Sequence, residues 1–220
     1  MMSDLSTPEP NGNNIDEGNT DLARERYNRR AKDYDQGMVR MDRLLLGKLR
    51  ALQWSLVTGK RILEIGVGTG ASFPYYPEGA EVVAIDLSDK MLAVAGTKAR
   101  EKGIKVDLRL MDVQRLDFPA ASFDSVVADC VFCSVPDPVL GLREIARVCK
   151  PEGQVVLLEH VRLAAPLGYL MDLANPLVVR MTGANINRRT LENVRRAGLT
   201  IERVDSFLFG IVKLIVARPQ

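Results

Sequence analysis

Short apolar runs alternate with helix-like segments from Lys60 onward. Helical spacing of apolar residues predicts helices at Asp89–Lys102, with Ser88 as N-cap, and at Pro138–Cys149. Alternation of this kind predicts a doubly wound, Rossmann-like α/β fold, in which helices cover both faces of a mostly parallel sheet. The runs expected to form its parallel strands are Arg61–Ile65, Glu81–Asp86, Lys105–Met111, Ser125–Val131 and Gln154–His160.

Two further strand patterns, Thr200–Phe207 and Ile211–Ala217, lie close together near the C-terminus. The few residues between them, which include Gly210, are too short for a parallel crossover. An antiparallel hairpin is therefore expected to complete a seven-stranded sheet.

The segment before the first strand has a different pattern. Residues 1–20 are polar and are expected to form a disordered tail. Residues 21–58 predict a helical cover of two helices, one from Asp21 and one at about Met38–Leu56. A chain of 220 residues is long enough for one sizeable core, so residues 21–220 are expected to form a single domain.

The first strand ends in a glycine-rich turn, K-R-I-L-E-I-G-V-G-T-G-A, from Lys60 to Ala71. Backbone N–H groups at such a turn, with a helix behind them, favour an anionic group. The glycines also satisfy a loose dinucleotide pattern, so a dehydrogenase is one alternative. Glu64, just before the turn, would repel a pyrophosphate but would suit an ammonium group. Two later strands end in acids, Asp86 and Asp112, at the same edge of the predicted sheet.

E-I-G-V-G-T-G, A-I-D-L-S and M-D-V together resemble the successive ligand-binding motifs of class I S-adenosylmethionine (SAM)-dependent methyltransferases. The resemblance runs from about Tyr27 to the C-terminus. It implies SAM as cofactor, with Asp86 on the ribose hydroxyls and Asp112 on the adenine amine. The other implied cofactor contacts are Gly66, Gly68 and Gly70 with Glu64 at the methionine part, Met91 and Val113 at the adenine ring, and Tyr27 and Tyr34 in a segment that closes over the site. Simple packing of the two tyrosines is the alternative.

Two further residues are candidates for the chemistry. Asp129 lies near the end of the fourth predicted strand, where cofactor and acceptor would meet, and we assign it both a cofactor-binding and a catalytic role. His160, the single histidine, ends the fifth strand and is the candidate near-neutral base. A structural, hydrogen-bonded role for His160 is the alternative. Alignment of the reactants and exclusion of water can themselves supply much of the catalysis.

Composition and charge limit the kinds of partner that this protein is expected to bind. Net charge is +2 with both signs mixed along the chain, which argues against nucleic acid. No apolar stretch approaches the roughly 20 residues of a membrane span, and the polar N-terminus does not resemble a signal peptide. A cytoplasmic protein, or one peripheral at the inner membrane surface, is expected. The three cysteines are expected to be reduced thiols, and Cys130 and Cys133 lack the partners of a metal site.

An insertion at residues 163–181 is rich in Leu, Met and Val and contains Pro166, Gly168 and Pro176. It is interpreted as a hydrophobic lid or as a membrane-lying amphipathic segment with Asp172 and Arg180 on its polar side. An ordinary core-packing helix is the alternative.

F-P-A-A-S-F-D, V-P-D-P, E-I-A-R-V-C-K-P-E-G and L-L-E-H-V resemble the branch with phosphatidylethanolamine N-methyltransferases, quinone C-methyltransferases and alkyl-thiol methyltransferases. This resemblance implies a small hydrophobic or membrane-associated acceptor, and it favours a phospholipid amine over a thiol or a quinone. A non-catalytic SAM-binding module would carry the same motifs and is the alternative from another class. The sequence does not determine the acceptor atom, the number of methyl groups transferred or the oligomeric state.

Overall fold

One sheet forms the centre of the molecule in the computed structural model, which describes residues 16–34 and 46–220. Its strand order is β3-β2-β1-β4-β5-β7-β6; β1 to β5 run parallel, whereas β7 is antiparallel to both β5 and β6. The predicted mostly parallel sheet with a C-terminal antiparallel hairpin is confirmed. The strands are β1 (Arg61–Ile65), β2 (Glu81–Asp86), β3 (Asp107–Leu110), β4 (Phe123–Asp129), β5 (Cys149–His160), β6 (Leu199–Phe207) and β7 (Val212–Pro219).

Helices cover both faces of this sheet. The α-helices of the described chain are α1 (Glu17–Arg30), α2 (Gly47–Ser55), α3 (Asp89–Lys102), α4 (Pro138–Val148), α5 (Leu167–Thr182) and α6 (Thr190–Arg196). Side chains of α4 and α6 join the larger core cluster on one face, and those of α2 and α3 pack on the other face. Helix α1 contacts α3. The order of the strands changes direction between β1 and β4, and in such sheets ligands bind at the carboxyl ends of the strands on either side of that point.

Local sequence signals explain where the helices begin and end. The Ser88 hydroxyl accepts a hydrogen bond from the Met91 N–H at 3.1 Å, which makes Ser88 the predicted N-cap of α3. Gly103 ends α3 with a positive φ of 65°. Asp137 caps α4, and Pro138 occupies the first turn, where its missing N–H costs nothing.

Several boundaries differ from the predicted ones. Helix α1 begins at Glu17, inside the range expected to be a disordered tail, because the Asp16 carboxylate caps it by accepting from the Asn19 N–H at 3.1 Å. Strand β4 ends at Asp129 because Cys130 has a positive φ of 54°, which breaks the ladder before the predicted end at Val131. Strand β5 begins at Cys149, earlier than predicted.

The second helix of the predicted cover is partly outside the described residues. Its described part is α2, which begins at Gly47. Leu49 of α2 packs with Leu52 and Leu56 against β5 and β7, as their helical spacing indicates. Residues 35–45 of that prediction lie outside the described chain.

The insertion forms a single helix, α5, which continues through Pro176. Among the described residues, no helix has both the length and the apolar content needed to cross a membrane.

Candidate active site

Three glycines shape the turn after β1, and each has a positive φ: 67° at Gly66, 55° at Gly68 and 79° at Gly70. A Cβ atom on Gly66 would lie 2.5 Å from Val131, and one on Gly70 would lie 2.3 Å from the Phe73 ring. A Cβ on Gly68 would meet nothing within 4 Å. Gly66 and Gly70 are therefore required for close packing, whereas Gly68 presents backbone to open space.

A cavity of about 730 Å³, counted with its open mouth, lies beyond this turn at the carboxyl ends of β1, β2 and β4. Nine residues of the predicted site line it: Tyr27, Tyr34, Gly66, Gly68, Asp86, Met91, Asp112, Val113 and Asp129. The predicted residues Glu64, Gly70 and His160 are not among the lining residues.

Asp86 ends β2 and stabilises the glycine turn. One carboxylate oxygen accepts from the Gly68 N–H at 2.8 Å, and the other accepts from the Ser88 N–H at 2.8 Å. Each oxygen can accept one more hydrogen bond, and the side chain lines the cavity. Burial raises the pKa of Asp86, and the backbone N–H groups oppose that increase.

Asp112 follows β3 and is oriented by Gln114. The Gln114 backbone N–H donates to one carboxylate oxygen and its side-chain amide donates to the other, both at 2.9 Å. The Gln114 amide also donates to the Thr20 hydroxyl of α1 at 3.1 Å. Met91 and Val113, both buried, lie in the same wall. An acceptor beside an apolar wall suits a flat ring that carries an amine.

Asp129 ends β4 and pairs with Arg50 of α2, with 2.6 Å between the Arg50 Nη2 and Asp129 Oδ2 atoms. Its other oxygen, Oδ1, is buried and accepts no hydrogen bond from the described residues. A buried acceptor of this kind is costly unless a ligand donor satisfies it. The sequence reasoning missed Arg50, because an arginine in a helix gives no signal of its partner in a distant strand.

Glu64 is buried and does not line the cavity. The Tyr76 hydroxyl donates to its carboxylate, and burial raises the pKa of Glu64 to about 7. Glu64 and Asp129 belong to the same face of the sheet, since Glu64 is in register with Val127, two residues before Asp129.

The predicted cover residues close one side of the cavity. Tyr27 on α1 and Tyr34 beyond its end both line it, and burial raises the pKa of Tyr34 to about 12. Asn28 anchors this helix to α3, where its amide donates to the Asp89 carboxylate at 2.8 Å. Because burial raises the pKa of both tyrosines, they are neutral phenols at physiological pH.

The loop after β4 forms another part of the cavity wall, next to the tyrosines, and Glu159 of β5 holds it. The fully buried Glu159 carboxylate accepts from the N–H groups of Val131 and Phe132 at 2.8 and 3.0 Å. Burial raises the pKa of Glu159 to about 8 and that of Cys133 to about 12, so Cys133 is an unreactive thiol. Glu159 is a positioning residue that the sequence reasoning did not single out.

His160 lies at the end of β5, opposite Val212 in the register with β7. Its side chain is partly buried, and this burial lowers its pKa. The imidazole is therefore neutral near pH 7, as a base must be, although it lies outside the cavity lining.

The chemistry of the lining residues fits SAM. The ionisable carboxyl groups are Asp86, Asp112 and Asp129, and none of the lining residues is basic. The ribose hydroxyls, the adenine amine and the ammonium group of SAM are all hydrogen-bond donors, and its sulfonium is a cation. A dinucleotide pyrophosphate would instead place negative charge against three carboxylates. The Rossmann-like sheet and a cavity lined by three hydrogen-bond-accepting carboxylates together fit SAM.

Comparison with known proteins gives the same class. Residues 63–157 match the model of a family described as a methyltransferase domain. The chain is similar to the phosphatidylethanolamine N-methyltransferase of Cereibacter sphaeroides, with 46% identity over 104 residues, which cover 46% of this chain and 51% of the relative. It is also similar to the demethylmenaquinone methyltransferase of Clavibacter sepedonicus, with 36% identity over 135 residues, covering 59% and 55%. The chain thus spans about half the length of these curated relatives.

Solved structures share the fold at low identity. Geranyl diphosphate C-methyltransferase of Streptomyces coelicolor, solved with S-adenosyl-L-homocysteine, superimposes with a TM-score of 0.70 at 14% identity, covering 92% of this chain and 98% of that one. The [4+2]-cyclase SpnF gives 0.66 at 23% identity, covering 79% and 80%. The family match shows that residues 63–157 carry a methyltransferase domain, and the relatives named as methyltransferases agree with SAM as its cofactor. The solved structures support the fold.

Proposed function

We propose that this protein transfers a methyl group from SAM to an apolar, membrane-associated acceptor, and that the acceptor group is a phospholipid amine. The observation that carries this choice is the 46% identity to a phosphatidylethanolamine N-methyltransferase over 104 residues. This share of identical residues is higher than the 36% found for the demethylmenaquinone methyltransferase.

The proposed cofactor contacts follow from the cavity. Asp86 would accept from the ribose hydroxyls, Asp112 from the adenine amine, and the unpartnered Asp129 oxygen from the ammonium group. Glu64 would support the same ammonium group. SAM supplies a methyl group bonded to a sulfonium sulfur, which is a good leaving group. The chain therefore needs mainly to bind and align the two reactants and to exclude water.

Tyr27, Tyr34 and the loop after β4 would align the reactants and exclude water. The tyrosines cover the cavity, and Cys130 and Ser134 line the wall that Glu159 supports. His160 is retained as a proposed proton acceptor for the nucleophile, with packing as its alternative role.

Quinone-ring C-methylation is the second candidate, since two of the similar proteins are a demethylmenaquinone methyltransferase and a ubiquinone/menaquinone C-methyltransferase. Transfer to an alkyl thiol is the third, since the branch that the L-L-E-H-V motif resembles also contains alkyl-thiol methyltransferases.

One experiment separates these acceptors. Purified protein would be incubated with methyl-labelled SAM and detergent-dispersed phosphatidylethanolamine, an alkyl thiol or a demethylated quinol. We expect label in phosphatidylethanolamine. Label in the thiol or quinol alone would overturn the acceptor assignment, and no transfer to any acceptor by a protein that binds S-adenosylhomocysteine would overturn the proposed activity.

A further inference from the structure

Helix α5 presents its apolar side to solvent. Five large apolar side chains at spacings of three or four residues form what we term the α5 face, and more than half of each side chain is exposed. They are Leu167 at 54%, Leu170 at 63%, Leu173 at 81%, Leu177 at 64% and Met181 at 67% exposure. Soluble helices usually direct such a stripe to the core, so the alternative of an ordinary core-packing helix does not describe α5.

The polar side of α5 faces the protein instead. The Asp172 carboxylate pairs with Arg162 at 2.7 Å and accepts from the Asn187 amide at 3.1 Å. One turn later, the Asn175 amide oxygen accepts from the Ile186 N–H at 2.9 Å. Asp172 therefore lies on the polar side of the helix, and these bonds direct that side towards the rest of the protein. They also fix the rotation of the helix, so its apolar face is held outward.

A second exposed apolar group lies beside the start of α5. The turn between β6 and β7 carries Phe209, which is fully exposed at 102%, with Leu208 and Ile211 exposed at 36% and 38%. This turn contacts the segment that leads into α5, since the Val161 N–H donates to the Ile211 carbonyl at 2.7 Å. Exposed apolar patches of this kind mark interaction sites.

The charges around the α5 face identify the chemistry of its partner. Its outer side carries one charged residue, Arg180, while the single acid of the helix, Asp172, is paired on the inner side. Arg162 lies over the Tyr169 ring at 5.5 Å, on the same flank as Arg180. An apolar stripe bordered by the exposed Arg180 and Tyr169 complements the acyl chains and the anionic head groups of a lipid surface.

The C-terminal end of α5 and the residues just after it contact elements that line the cavity. Beyond the helix, the backbone N–H and the side-chain amide of Asn185 donate to the Cys133 carbonyl, at 2.8 and 3.0 Å, in the loop that forms one cavity wall. At its end, the carbonyls of Met181 and Thr182 accept from Arg30 of α1, the helix that carries Tyr27. A lipid surface against α5 would therefore lie beside the elements that enclose the cavity.

We propose that the α5 face, with the Leu208–Ile211 turn, docks on the surface of an anionic phospholipid bilayer. The helix lies in the plane of the interface, since its 16 residues are fewer than the roughly 20 needed to span the apolar layer. This inference rests on the proposed function, because docking matters for catalysis only if the acceptor resides in the membrane.

The test is co-sedimentation of the full-length protein with vesicles of phosphatidylcholine and phosphatidylglycerol in equal parts, and with phosphatidylcholine vesicles alone. We expect binding to the mixed vesicles that weakens with salt. The double variant L170E/L173E should reduce the vesicle partition coefficient at least about tenfold, since each leucine loses apolar burial. Val204→Glu, which charges a side chain 37% exposed on the edge strand β6, is the matched control and should bind like the wild type.

Two results would overturn the proposal: no binding of the wild type to mixed vesicles, or equal binding by L170E/L173E. If light scattering shows a dimer that L170E/L173E dissociates while vesicles are ignored, the α5 face is instead an interface between two copies. Methyl transfer to detergent-dispersed lipid reports on the proposed function separately, because it requires no vesicle. Loss of vesicle binding with intact transfer in detergent supports docking, whereas vesicle binding without any transfer contradicts only the proposed function.

Discussion

The cavity and the α5 face treat polar and apolar groups in opposite ways. In the cavity, acids such as Asp86 and Asp112 are partly buried and are held by backbone and amide donors. On α5, the polar Asp172 and Asn175 are bonded inward, and the leucines remain in water. The cavity side chains are organised before a ligand arrives. Exposure of the apolar side chains of the α5 face to water is unfavourable, and contact with a partner surface would remove this free-energy cost.

His160 ends β5, just before the segment that leads into α5, and its replacement tests whether it takes part in catalysis. If the proposed base role is right, His160→Gln should lower turnover about 10²-fold at pH 7 and less at pH 9, where solvent deprotonates more of the acceptor. The pKa of His160 is lowered by burial, so the wild-type imidazole is already a free base at pH 7. S-adenosylhomocysteine affinity, measured by calorimetry, should not change.

Two other outcomes have a clear meaning for His160. A lower melting temperature with a loss of activity that is the same at every pH would assign it a packing role. Full activity with unchanged stability would exclude both roles.

Asp86→Ala tests the cavity directly. It removes the acceptor proposed for the ribose hydroxyls, and charge-assisted hydrogen bonds of about 1.5–3 kcal/mol correspond to up to about a hundredfold in affinity. Isothermal titration with S-adenosylhomocysteine measures the loss, after circular dichroism has shown that the variant is folded. Asp107→Ala, which changes an exposed acid paired with Arg109, is the control and should bind normally. Unchanged affinity in Asp86→Ala would remove the ribose assignment.

Substitutions in the glycine turn can distinguish glycines needed for packing from glycines needed for ligand contact. A Cβ on Gly66 would lie 2.5 Å from Val131, whereas one on Gly68 would meet open space. Gly66→Ala should therefore lower the free energy of unfolding by about 1–3 kcal/mol more than Gly68→Ala does. Gly68→Ala should instead weaken S-adenosylhomocysteine binding at a smaller cost in stability. Urea denaturation of both variants checks this order, and equal losses of stability would contradict it.

Stability should also depend on pH through the buried acids. Burial raises the pKa of Glu64 from 4.5 to about 7 and that of Glu159 to about 8, so the folded chain favours their protonated forms. The resulting stabilisation is complete below about pH 4.5 and is lost as pH rises through 7 and 8. The ligand-free protein should melt several degrees lower at pH 8 than at pH 5. Glu64→Gln should show a smaller difference, and an identical pH profile for both proteins would contradict this origin.

Part of the candidate site was predictable because its residues follow strands. Asp86, Asp112 and Asp129 each end or follow a parallel strand, and parallel strands bring their carboxyl ends to one edge. Sequence spacing could not separate residues that face the cavity from those that support it. Gly70 packs against Phe73, and Glu64 is buried, does not line the cavity and has Tyr76 as its partner. The Arg50 contact with Asp129 joins distant parts of the chain, so no local pattern predicts it.

The sequence by itself determined the α/β class, the C-terminal hairpin, the glycine turn and the acids of the cavity, because each depends on local periodicity or on a short connection. The composition of residues 163–181 indicated an apolar segment but left its orientation open. Tertiary structure decided that orientation: Arg162, Asn187 and Ile186 hold the polar side of α5 inward. The outward direction of the leucines thus follows from hydrogen bonds between segments, which the pattern within one helix does not encode.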